Sequence, residues 1–160
     1  MKPWSTFAEV AGTAAASLIG LLFVAVSIRI DFIARSQELR NRAAQTLSLF
    51  GTVLLTAILI AIPGQGTEAL GAELTALAVI AGTGLAILDR RAKADASRQA
   101  IRKTLELITP TTIVSLLLLV SGVLLVSGVH GGLYVLIVPV LVAVTGGVAS
   151  AWLFLTKITE

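Results

Sequence analysis

Long, uninterrupted apolar runs constrain this chain more than any other feature of its sequence. A helix that crosses a bilayer needs about 20 mostly apolar residues, because the hydrocarbon core is about 30 Å thick and a helix rises about 1.5 Å per residue. Five segments meet or approach that length, at about 10–28, 47–62, 70–88, 111–127 and 133–155. The runs are continuous instead of alternating, which disfavours a lipid-facing barrel. The sequence therefore predicts one all-α domain over residues 1–160, with five transmembrane helices.

The composition also excludes an ordinary soluble protein. Of the 160 residues, 56% are hydrophobic and 13% are charged, and a soluble domain carries roughly twice that charged fraction. A signal peptide is the alternative interpretation of the first run, with a small-x-small cleavage site at Ala25 and Ser27. The run exceeds a typical signal-peptide core and Glu9 interrupts its start, so we expect a membrane span.

Positive charge is concentrated in two of the segments between the runs, residues 29–46 and 89–109. Together with the C-terminal end they hold eleven of the twelve lysines and arginines. Loops rich in lysine and arginine stay in the cytoplasm, so the sequence predicts an outside N-terminus and an inside C-terminus. Trp4 and Tyr134 would then lie at the outer face of the membrane and Trp152 at the inner face, where amphipathic rings are enriched.

The longer basic segment has an amphipathic pattern. Its aliphatic residues Ile101, Leu105 and Ile108 recur at helical spacing, while other helix faces carry Arg98, Arg102 and Lys103. We expect a short helix in the cytoplasmic interface with these cations beside anionic lipid headgroups, and a plain lead-in to the fourth run is the alternative. Because the net charge of +3 reflects the sorting of cations to one side of the membrane, we expect no nucleic-acid partner.

Polar and small residues follow one face of the first run, at steps of three and four residues. They are Glu9, Thr13, Ser17, Gly20, Ser27 and Asp31, with Val24 filling the remaining step. Such a face is a packing surface in many membrane bundles. It could alternatively line a hydrated ion pathway, because carboxylates concentrate cations.

Glu73 is a further acid expected at the membrane boundary, where a carboxylate is costly unless it is paired or hydrated. An interfacial position beside the N-terminus of a helix is the alternative. We include Glu73 in the predicted pathway. Five helices cannot enclose a wide pore, so the pathway requires either a narrow internal route or a symmetric homo-oligomer.

Small residues in the later runs predict further contacts between helices. We expect packing at Gly82 in the third run and at Ala143, Gly146 and Ser150 in the fifth. Pro139 removes a backbone donor, which can kink the fifth run.

Enzyme chemistry has no motif in this sequence. Cysteine is absent and His130 is the single histidine, which excludes thiolate nucleophiles and zinc–thiolate sites within the chain. No HExxH or Walker pattern occurs. We therefore expect a protein that is not an enzyme, with no catalytic residues, metal or cofactor.

Three short stretches carry a resemblance to a known group. Residues 20–27 (GLLFVAVS), 63–65 (PGQ) and 70–74 (LGAEL) resemble a group of small uncharacterised integral membrane proteins of actinobacterial type. The resemblance covers about the first 90 residues and rests mostly on apolar positions. It implies a bacterial inner-membrane location and no particular mechanism.

The leading functional hypothesis from the sequence is a homo-oligomeric cation channel or ion pathway of the bacterial cytoplasmic membrane, carried by the polar face of the first run. The alternative is a non-conducting scaffold or regulatory subunit whose polar face packs against another membrane protein. The lipid bilayer, with anionic lipids at its cytoplasmic face, is an expected partner in both.

Overall fold

The structure, a computed structural model, describes residues 2–28, 30–35, 37–95, 110–129 and 131–156. Its helices are α1 (Lys2–Ile28), α2 (Ile30–Arg35), α3 (Gln37–Ala61), α4 (Thr67–Asp95), α5 (Pro110–Val126), α6 (Gly132–Val135) and α7 (Ile137–Thr156). The described residues contain no strand, so the predicted all-α fold is confirmed for them. Each apolar run falls on one long helix, except that α6 and α7 share the fifth.

The helices extend beyond the apolar runs that predicted them. The sequence predicts a loop over residues 29–46, but the described part of that segment forms α2 and the first turns of α3. Likewise, α4 continues through 89–95 into the second basic segment, of which 96–109 lie outside the described residues. Charge does not end a helix, because its backbone hydrogen bonds are internal and Glu, Arg, Gln and Ala are all good helix formers.

Two helical hairpins form the main body of the bundle, and α7 packs against one helix of each. In the first hairpin α1 lies against α3, and in the second α4 lies against α5. The first contact is made of small and branched side chains, all buried: Ala8, Ala11, Ala15, Leu49, Val53 and Ala57. A Cβ on Gly12 would lie only 3.2 Å from the Cβ of Ala57, so α1 and α3 approach closely.

The contact between α4 and α5 depends on glycine in both helices. A Cβ on Gly71 would lie 2.8 Å from the Gly122 carbonyl oxygen, and a Cβ on Gly122 would lie 2.8 Å from the backbone nitrogen of Thr75. Backbone therefore meets backbone at this crossing. Below it, a Cβ on Gly82 would lie 3.6 Å from the Cβ of Ser115, which is an ordinary van der Waals contact.

The fifth run is interrupted at Leu136, between α6 and α7, one turn before the buried Pro139. There the Leu136 N–H donates to the Leu133 carbonyl, three residues back instead of the four of a regular helix. The buried hydroxyl of Ser121 in α5 donates to the Gly132 carbonyl at 2.7 Å. In a regular helix the Gly132 carbonyl would accept from the Leu136 N–H, and here the Ser121 hydroxyl takes the place of that donor. The bond also links α5 to α6.

Among the residues that the structure describes, three helical stretches are long and apolar enough to cross a membrane: Trp4–Ile28, Ala43–Ala61 and Gly132–Ala149. Thr112–Val126 in α5 is apolar over a shorter length. Large apolar side chains cover the outside of the bundle, as Phe23, Ile80 and Leu116 illustrate with exposed fractions of 56%, 69% and 62%. Length, composition and this apolar exterior indicate a membrane protein.

Candidate functional site

The polar face predicted on the first run lies on the outside of the bundle. We use the name α1 polar seam for its five residues within α1: Glu9, Thr13, Ser17, Gly20 and Ser27. All five are exposed, and a Cβ on Gly20 would meet no atom within 4 Å. Asp31, the sixth residue of the predicted face, is also exposed but lies in α2, after the end of α1.

The α1 polar seam points away from the helix face that holds α1 in the fold. The buried residues of α1 are Ala8, Ala11, Ala15 and Leu22. Because consecutive residues of an α-helix are rotated by about 100°, the mean direction of the seam lies about 160° from that of these buried residues. The packing of α1 on α3 therefore leaves the seam available to a neighbouring molecule.

The serine hydroxyls of the seam are already bonded within α1. Ser17 Oγ donates to the Thr13 carbonyl at 2.8 Å, and Ser27 Oγ donates to the Phe23 carbonyl at 2.8 Å. A serine hydroxyl has one proton and two lone pairs. Since each proton is used inside the helix, these two groups offer acceptor oxygens to whatever covers the seam, as does the exposed carboxylate of Glu9.

Glu73 has a different environment. It lies half-buried in the second turn of α4, where the Gln65 side chain reaches back from the α3–α4 turn and Nε2 donates to Glu73 Oε2 at 2.5 Å. The Gln65 Oε1 atom is buried and has no hydrogen-bond partner. The amide therefore pairs with the carboxylate and fixes the turn against α4.

Glu9 and Glu73 do not belong to one surface. Glu9 is exposed on the far side of α1 from α3, whereas Glu73 is half-buried on α4 and bonded to Gln65. Their helices pack mainly against α3 and α5 respectively. Of the residues predicted for an ion pathway, the structure thus groups the five seam residues on α1 and places Glu73 apart from them.

The predicted packing residues occupy several positions. Gly82 faces Ser115 across the α4–α5 contact, Ala143 is fully buried and Gly146 is half-buried. Ser150 lies within α7, but the structure does not describe its side chain. The predicted lipid-headgroup residues Arg98, Arg102 and Lys103, and also His130, lie outside the described residues.

Sequence reasoning missed the alanines that attach α1 to the bundle. Ala8, Ala11 and Ala15 repeat at steps of three and four, which is a visible signal. The packing interpretation was given instead to the polar residues one or two positions later. It also missed an aromatic contact that fastens the start of α1. The Trp4 ring lies edge-on to that of Tyr134, with centroids 5.2 Å apart, and to that of Phe7, with centroids 5.7 Å apart.

Within the described residues, no three acidic or histidine side chains lie close enough together to hold a metal ion. Comparisons of the chain with protein-family models, with curated proteins and with solved structures each found no match.

Proposed function

We propose that this protein is a five-span protein of the bacterial cytoplasmic membrane, with its N-terminus outside, that assembles with copies of itself around a cation pathway. The α1 polar seam lines that pathway. One observation carries the proposal: all five seam residues are exposed, on the side of α1 opposite its buried face.

The depth of Glu9 supports a covered seam. The 27 residues of α1 extend over about 40 Å, so the helix exceeds a hydrocarbon core of about 30 Å by a few ångströms at each end. With α1 centred on the bilayer, Glu9 would lie about 10 Å from the midplane and so within the core. A carboxylate that faces lipid at that depth is costly, and water, a cation or another protein helix would relieve the cost.

Like charge favours a hydrated assembly over a dry one. Copies inserted in the same membrane share one orientation, so symmetry places each Glu9 beside the Glu9 of the next copy. Adjacent carboxylates repel in a dry interface, but around a water-filled axis they attract cations. The hydroxyl oxygens of Ser17 and Ser27 can still accept hydrogen bonds, so they extend the preference for water and cations along α1.

A second candidate function is the non-conducting scaffold or regulatory subunit. The internal hydrogen bonds of Ser17 and Ser27 favour it, because a hydroxyl that is already bonded can be covered without water. The partner helix would then carry a lysine or arginine at the depth of Glu9, since burying a carboxylate requires an opposite charge.

Ion flux in liposomes tests the proposed pathway. The purified protein in vesicles loaded with a K⁺ indicator should carry K⁺, and Glu9→Gln should reduce the flux by about tenfold, the effect of a barrier change near 1.4 kcal/mol. Glu68→Gln is the matched control, because Glu68 is an exposed acid in the first turn of α4 and away from the seam. Flux equal to that of empty vesicles would contradict the proposal.

The scaffold makes a different experimental prediction. A second membrane protein should co-purify with the chain from its native membrane, and Gly20→Leu should remove it by filling the space at the centre of the seam. Gly84→Leu is the control, since Gly84 is an equally open glycine on α4. Purification of the wild-type chain alone would exclude this candidate.

A further inference from the structure

One apolar side chain interrupts the α1 polar seam. Val24 lies on the same helical line as Gly20 and Ser27, at the step of four residues from one and three from the other. It is 57% exposed and therefore points outward with the seam. The seam is thus divided into an outer part, from Glu9 to Gly20, and an inner end at Ser27.

The two parts differ in the space and polarity that they offer. The outer part contains a carboxylate and two hydroxyl side chains, and it ends at Gly20, where a Cβ would meet no atom within 4 Å. From Gly20 to Ser27 the helix rises about 10 Å. Over that distance Val24 is the residue on the line of the seam, and the exposed neighbours Phe23 and Leu21 are apolar as well.

We propose that Val24 forms the hydrophobic gate of this pathway; the inference rests on the proposed function. Around a symmetric axis, the Val24 side chains of the copies form an apolar ring below the wide level of Gly20. Water leaves a narrow apolar constriction, and a cation cannot follow without its hydration. Valine is also stiff at χ1 in a helix, so the ring has a defined width.

A substitution that keeps the shape of the side chain and adds a hydroxyl separates polarity from size. Val24→Thr changes one methyl group to a hydroxyl, which can bond to the Gly20 carbonyl as the hydroxyls of Ser17 and Ser27 bond to theirs. Val79→Thr is the matched control, since Val79 is 55% exposed on the outer side of α4. Both positions are on the surface, so neither change disturbs the core.

K⁺ flux in liposomes gives a separate outcome for each hypothesis. We expect Val24→Thr to raise the flux by about tenfold or more over wild type, and Val79→Thr to leave it unchanged. Wild-type flux that depends on Glu9 but does not change in Val24→Thr would overturn the gate and keep the pathway. If the wild type carries no more K⁺ than empty vesicles, the pathway itself is overturned, and the gate with it.

Discussion

The ring of Phe50 in α3 lies directly against the backbone of Gly147 in α7. A Cβ at Gly147 would lie 2.6 Å from Cζ of the ring, which is far inside van der Waals contact. Phe50 is 1% exposed and is among the largest fully buried side chains of the protein. The absence of a side chain at Gly147 therefore allows the largest side chain of α3 to fit between α3 and α7.

Gly147→Ala should destabilise the fold. The added methyl group must displace a buried ring, and overpacking of this kind costs about 1–3 kcal/mol. A thermal unfolding experiment on the protein in detergent should show a lower melting temperature. Gly84→Ala is the control: its Cβ would meet no atom within 4 Å, and replacing a helical glycine by alanine stabilises by about 0.5–1 kcal/mol. Equal melting temperatures for the two variants would contradict the packing described.

Gly122→Ala should weaken the contact between α4 and α5. The new methyl group would lie 2.9 Å from the Gly71 carbonyl oxygen, and backbone atoms cannot move aside as a flexible side chain can. Gly82→Ala, in the same contact but 3.6 Å from Ser115 Cβ, should be tolerated. Resistance to limited proteolysis measures both, and greater sensitivity of Gly82→Ala than of Gly122→Ala would be inconsistent with this crossing.

Ser121→Ala should cost about 1–3 kcal/mol of stability, because the buried Gly132 carbonyl then loses a donor that the interrupted helix does not replace. Ser127→Ala provides the comparison. Its hydroxyl is exposed and donates to the Val123 carbonyl in the last turn of α5 at 2.9 Å, so little should change. The difference between the two melting temperatures is the measurement, and no difference would argue against the Ser121 bond.

Cross-linking between copies should occur along the α1 polar seam. The chain has no cysteine, so single cysteines at Thr13 and Ser17 can be joined in native membranes by a short bifunctional maleimide. A cysteine at Ala11, which is buried against α3, should give no dimer, and neither should one at the exposed Ala72 of α4. Dimers from Ala72 but not from Thr13 would place the interface on α4 instead.

Accessibility labelling tests the orientation. Single cysteines at Ser5 and Thr67 should react with an impermeant maleimide added to intact cells, whereas a cysteine at Ser97, within the basic segment, should react only after the cells are opened. The reverse pattern would show that the N-terminus is inside.

Periodicity in the sequence predicts the helices well, because apolar runs of this length have few alternatives to helix. It also groups residues correctly by face, as the common exposure of Glu9, Thr13 and Ser17 illustrates. It does not indicate which face meets a neighbour. A leucine side chain that faces lipid carries no free-energy penalty, so hydrophobicity does not distinguish buried positions from lipid-facing ones. The small residues Ala8 and Ala11 are therefore the ones buried in the contact of α1 with α3, while large apolar residues lie on the outside of the bundle.

Contacts between distant segments leave no mark in the sequence. The pairing of Phe50 with Gly147 joins residues almost a hundred positions apart, and neither residue is unusual in its own run. The interruption at Leu136 is only partly signalled, by Pro139 one turn later. The apolar runs also do not predict where the helices end. A run stops at the first charged residues, whereas the helix continues beyond them.

The two faces of α1 give this helix two independent kinds of constraint. Substitutions at Ala8, Ala11 and Ala15 are limited by volume, because each methyl group lies against α3. Glu9 and Thr13, interleaved with them, and Gly20 beyond them are exposed on the opposite side of α1, so their substitution does not change the volume buried against α3. During evolution the chain can therefore gain, lose or exchange a neighbour along α1 while its packing on α3 stays the same.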